Sequence, residues 1–145
     1  MSTEQNNALA RHIVEEVFNR GNTARVDELL APDFVEREAL PPGMPRSREG
    51  VKLLVAALRG AFPDFKATID DIVAEGDNVV IRQTWTGTQR GEFMGVPPTG
   101  KRVSFGVSDI LRIAGGKCVE HWGQMDGMGM MQQLGAIPSP GQGGS

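Results

Sequence analysis

Apolar residues fall first at helical spacing and then, past Pro63, at every second position, so the chain reads as a helical part followed by a stranded part. In "NALARHIVEEVFNRGN", Leu9, Ile13 and Val17 form one line, with Ala10, Val14 and Phe18 beside it. This predicts an amphipathic helix ended by Gly21. "TARVDELLAPDF" predicts a short second helix with Pro32 just beyond its end. "EREALPPGMPRS" holds three prolines and a glycine and predicts a loop. Ser47 is placed to cap a third helix, whose Val51, Leu54, Val55, Leu58 and Phe62 make a buried stripe. Beyond Pro63, "FKATIDDIVAEGDNVVIRQTWTGTQRGEF" predicts two strands around Gly76-Asp77, and "KRVSFGVSDILRIAGGKCVEHWGQM" two more around Gly115-Gly116. The pattern predicts an α+β fold: three N-terminal helices, then an antiparallel meander. One domain over residues 1–137 and a flexible Pro/Gly/Ser-rich tail over 138–145 complete it.

The last hairpin has a predicted register. A two-residue turn pairs Ala114 with Lys117. Continued without a bulge, this sets Trp122 opposite Asp109, Gln124 opposite Val107 and Asp126 opposite Phe105, all on one face. An extra residue in either strand would shift that pairing by one. In the earlier strand, Val79, Ile81, Gln83 and Trp85 share a face, while Arg82, Thr84 and Thr86 lie on the solvated one. The two mixed faces are expected to line a cavity between helices and sheet. His121 and Met125 then fall on the outer face, where they call for cover by a second copy, and His12 is expected to be structural.

Composition narrows the function. The 145-residue chain carries a net charge of −3 and no basic run, which argues against nucleic acid as a partner. It has no apolar run of the roughly 20 residues that span a bilayer, and its polar N-terminus is no secretory signal. A single cysteine, Cys118, forms no internal disulfide, and a cytoplasmic location is expected. Two histidines and one cysteine show no metal-ligand spacing, and no phosphate-binding loop or nucleophile elbow is present.

The remaining chemistry centres on Asp126. It stands among Met125, Met128, Met130 and Met131 with no lysine or arginine nearby. It is the N-cap of the helix "GMGMMQQL", a carboxylate held in an apolar cavity for acid/base work, or both. Asp109 either accepts an indole N–H or contacts substrate. Gln83, Gln89 and Gln124 are placed to hold carbonyl oxygens or to satisfy one another. Trp85 and Trp122 either stack on a flat ligand or pack the core.

The segments "LPPGMPRSREGVKLLVAALRGAFPDF", "GEFMGVPPTGK" and "GKCVEHWGQMD…QQLG" closely resemble the SnoaL-like polyketide cyclase (ester cyclase) family, over nearly the whole chain from Ala8 to about Gly135. The resemblance implies a nuclear-transport-factor-2-like fold, in which a curved antiparallel sheet wraps over the helices to form a conical pocket. It implies Asp126 as general acid/base of an intramolecular aldol closure on a hydrophobic carbonyl compound, without metal or organic cofactor. Phe34, Arg37, Gln83, Trp85, Gln89, Phe105, Asp109, Trp122 and Gln124 are the expected substrate contacts, with "GEFMGVPPTGK" closing the mouth through Phe93 and Met94. Relatives often carry histidine where Arg37 and Gln89 stand. The alternatives are isomerase, dehydratase or epoxide hydrolase chemistry in the same pocket, or a non-catalytic small-molecule binding module. The absence of tyrosine weakens an isomerase parallel. A homo-oligomer, a dimer in its simplest form, is expected.

Overall fold

The computed structural model describes residues 2–38 and 40–138. Helix α1 (Thr3–His12) starts at a capping box: Ser2 Oγ accepts from the Gln5 N–H at 3.1 Å, and Gln5 Oε1 from the Ser2 N–H at 3.0 Å. The helix then widens into π-helical turns over Ile13–Asn19, with the Arg20 N–H donating to the Glu15 carbonyl at 3.1 Å. The wider turn brings Ile13, Val14 and Phe18 together on the side facing the sheet.

A 3₁₀ turn (Thr23–Arg25) and the short α2 (Val26–Leu29) lead into β1 (Leu30–Glu36). The expected second helix is therefore cut short, and "LAPDFVE" is a strand. Pro32 fits there because β1 lies at the sheet edge. Helix α3 (Arg48–Ala61) buries Val51, Val55 and Leu58 as expected. Ser47 stands at its N-cap position without a side-chain hydrogen bond.

Strands β2 (Lys66–Glu75), β3 (Asn78–Thr88), β4 (Arg102–Ala114) and β5 (Lys117–Met125) form the expected meander, followed by α4 (Gly127–Leu134). The sheet order is β1-β5-β4-β3-β2, with β1 parallel to β5 and the other pairs antiparallel. The sheet is curved and open, and the N-terminal helices cover its concave face, which is the predicted α+β architecture. One continuous apolar cluster fills the space between them. The expected tail lies, from residue 139 on, outside the described residues. Among the described residues no helix is long and apolar enough to cross a membrane.

The register of the last hairpin departs from expectation. Ala114 pairs with Lys117 and Ile113 with Cys118, but Arg112 then pairs with Glu120, so Val119 is an extra residue on β5. Beyond this bulge Leu111 opposes His121, Asp109 opposes Gly123 and Val107 opposes Met125. Every β5 side chain past Val119 is turned over relative to the uninterrupted register. His121 and Met125 point into the molecule, and Trp122 and Gln124 point out.

Candidate active site

β3 and β4 alternate strictly between buried and outward side chains. Two of their inward positions are polar, Gln83 and Asp109. Both are buried, so each needs a partner. Gln83 Nε2 donates to Asp109 Oδ2 at 2.5 Å, and Gln83 Oε1 accepts the Trp85 indole N–H at 3.2 Å. The other carboxylate oxygen, Asp109 Oδ1, lies 2.7 Å from His121 Nε2. On its far side, His121 Nδ1 lies 2.5 Å from Glu36 Oε2, at the end of β1. A chain of polar groups thus runs from Trp85 through Gln83, Asp109 and His121 to Glu36.

An imidazole gripped by a carboxylate at each nitrogen donates from both. Burial by itself disfavours its charge, but the bonds to Asp109 and Glu36, and their charges, outweigh that and push the His121 pKa up to about 10. His121 is therefore a half-buried imidazolium shared by two buried carboxylates.

This cluster sits in the wall of an otherwise apolar cavity. The π-helical turns supply Ile13, Val14 and Phe18, α3 supplies Val51 and Leu54, and the sheet supplies Leu30, Phe34, Ile81, Trp85, Val107, Leu111, Cys118 and Met125. Burial pushes the Cys118 thiol up to about 12, so it serves as neutral wall. Trp85 is held by Phe65, Phe18 and Phe105, with ring centroids 5.2, 5.7 and 6.0 Å away. A third carboxyl, Glu38, reaches the cavity from the chain just past β1. Burial pushes its pKa up to about 7; the His121 charge opposes this, and the Glu36 and Asp109 charges add to it.

The expected site residues divide accordingly. Phe34, Gln83, Trp85 and Asp109 line the cavity. Phe105 lies behind Trp85. Gln89 is fully buried but pins its own loop, bonding the Val96 carbonyl at 3.0 Å and the Thr99 hydroxyl at 2.8 Å. Arg37 turns outward to Glu120 at 2.7 Å, and Trp122 and Gln124 border a shallow outer groove. Asp126 is exposed and caps α4, accepting the Gly129 N–H at 2.8 Å. The loop "GEFMGVPPTGK" contributes nothing to the cavity: Phe93 packs edge-on against Phe62 at 5.5 Å, and Met94 is 49% exposed.

Sequence reasoning passed over His121, Glu36 and Glu38. A strand reading of "DFVERE" puts Phe34, Glu36 and Glu38 on one face by their spacing of two. Gly123 within a strand was a signal of close approach beside the hairpin's buried Asp109.

Helices and a curved sheet around an apolar cavity, with one acid/base cluster in its wall, make a small-molecule site. The SnoaL-like polyketide cyclase family model matches residues 8–134, and the chain belongs to that family. It is 31% identical over 120 residues to nogalonic acid methyl ester cyclase of Streptomyces nogalater, covering 81% of this chain and 89% of that one. It is 30% identical over 131 residues to the aklanonic acid methyl ester cyclase DnrD of Streptomyces peucetius, covering 88% of each. The structure of TsrD from Streptomyces laurentii superposes with a TM-score of 0.85 at 32% identity, covering 94% of this chain and 99% of that one.

Proposed function

We propose that this protein closes a carbon ring in a polyketide methyl ester by cofactor-independent acid/base catalysis, with Asp109 as the base. The observation that carries the reading is the His121 imidazolium held between the buried carboxylates of Asp109 and Glu36 in an apolar cavity. The names of the relatives supply the substrate class.

Asp109 has the position a base needs. Gln83 and His121 each bond one of its oxygens, which fixes the carboxylate plane and leaves further lone pairs for the cavity. A carbon between two carbonyls, resting against Trp85, would give its proton to Asp109. The enolate would attack a second carbonyl, and the His121 charge would offset the negative charge that develops nearby. Proton transfer from a placed side chain contributes about 10²–10⁴-fold. Asp126 does not reach this cavity, so the role is assigned to Asp109 instead.

The test is turnover of nogalonic acid methyl ester and aklanonic acid methyl ester. Asp109→Asn should lower kcat by about 10²-fold or more, while Asp126→Asn stays near wild type. The opposite ranking would return the role to Asp126. The reading also includes self-association through the outer sheet face.

A further inference from the structure

Glu36, Asp109, His121 and Gln83 bond one another, yet the fifth polar residue of the cavity stands apart. The Glu38 carboxyl forms no hydrogen bond with another described residue, although its own backbone N–H donates to Glu36 Oε2 at 3.2 Å. It is half-buried and borders both the inner cavity and the outer groove beside Trp122.

What admits it there is Gly123. A Cβ on Gly123 would lie 2.8 Å from His121 Cε1 and 2.9 Å from Asp109 Oδ1, and would collide outright with Glu38 Oε1. Gly123 has no unusual backbone geometry, so the glycine is needed for space. The notch left by its missing side chain is where Glu38, Asp109 and His121 converge. The charged or titratable groups facing Glu38 are Glu36 from β1, Asp109 from β4 and His121 from β5. The adjacent Arg37 is occupied with Glu120.

We propose that Glu38 is the general acid of the ring closure, paired across the Gly123 notch with Asp109 as base. This rests on the cyclase reading above. Asp109 takes the proton from carbon, and the new carbon–carbon bond forms as the attacked carbonyl opens to an alkoxide. The Glu38 carboxylic acid gives its proton to that alkoxide. The proton on Asp109 then passes to the Glu38 carboxylate and restores both groups. Substrate and product are isomers, so no co-reactant is needed. Two carboxyls in different surroundings are the arrangement such a division of labour uses. Asp109 is held by two donors, and Glu38 by none among the described residues.

Infrared difference titration of wild type against Glu38→Gln, from about pH 5 to about pH 9, tests the acid without substrate. A protonated carboxyl band that fades near pH 7 and is missing from the variant is expected. A Glu38 already ionised at about pH 5 would overturn the proposal. With nogalonic acid methyl ester, wild-type kcat/KM should fall as pH rises through about 7. Glu38→Gln should lower kcat about 10- to 100-fold, flatten that limb and leave KM within about twofold, and Glu38→Asp should recover part of the rate. Wild-type kcat and an unchanged limb in Glu38→Gln, with Asp109→Asn inactive, would remove Glu38 and leave the cyclase reading intact. An active Asp109→Asn beside an inactive Glu38→Gln would instead remove Asp109 as base.

Discussion

At His121 two carboxylates share one cation, and its loss would leave both buried without a counter-charge. Breaking a buried ion pair by removing one partner costs about 3–5 kcal/mol. His121→Gln should lose stability in that range at neutral pH in urea melts, and a loss below about 1 kcal/mol would show the cluster to be solvated. The pH dependence follows from the same groups. His121 has a folded pKa near 10 against an ordinary 6.5, so its stabilisation is complete below about 6.5 and is lost as pH rises through 10. Glu38 is raised from 4.5 to about 7, so its contribution is complete below about 4.5 and is lost as pH rises through 7. Both slopes run downward with rising pH. Glu38→Gln should remove the lower one and leave the variant the more stable protein at about pH 8. A wild type that gains stability between about pH 7 and about pH 10 would contradict the His121 assignment.

Elements, rather than single residues, decide what was readable beforehand. The α3 stripe and the meander of β2 to β5 follow from periodicity, because Val51, Val55 and Leu58 repeat at helical spacing and β4 alternates without a break. Asp109, Gln83 and Trp85 were placed inward because the β3 and β4 patterns are uninterrupted. β5 was not readable to the same degree. Nothing in "KCVEHWGQM" marks Val119 as the extra residue, and one bulge exchanges His121 for Trp122 as the inward side chain. β1 was hidden because its apolar residues also suit a helix, and its pairing with β5 is set by contacts distant in sequence. The end of β5 shows what the shift means for Asp126. It closes the first turn of α4, where Gly129 leaves no room for a side chain beside the Asp126 carboxyl. Asp126→Ala should cost about 1 kcal/mol in chemical denaturation, and Asp126→Asn much less, since asparagine caps equally well. Equal losses for both would point to a role other than capping.

On the scale of the whole molecule, the outer face of the sheet carries a row that the pocket does not explain. Val73 pairs with Val80, Val80 with Ile110, and Ile110 with Trp122, so the four side chains cross β2 to β5 in one line. They are 61, 45, 41 and 40% exposed, on a face otherwise marked by the Arg82–Asp71 ion pair and the Arg112–Glu120 pair. An apolar line framed by charges suits a partner with the same line. A two-fold axis through its centre would lay Ile110 against the partner's row and bring each Trp122 toward the Val73 end of the other copy. The expected assembly is therefore a homodimer through Val80, Ile110 and Trp122, not through His121 and Met125, which the β5 bulge turns inward. Ile110→Asp places a charge in the middle of that row while leaving the buried face of β4 untouched. Light scattering at micromolar concentration should read a dimer for the 15.6 kDa wild-type chain and a monomer for the variant. A monomeric wild type would remove the dimer, and a dimer unchanged by Ile110→Asp would move the interface off this face.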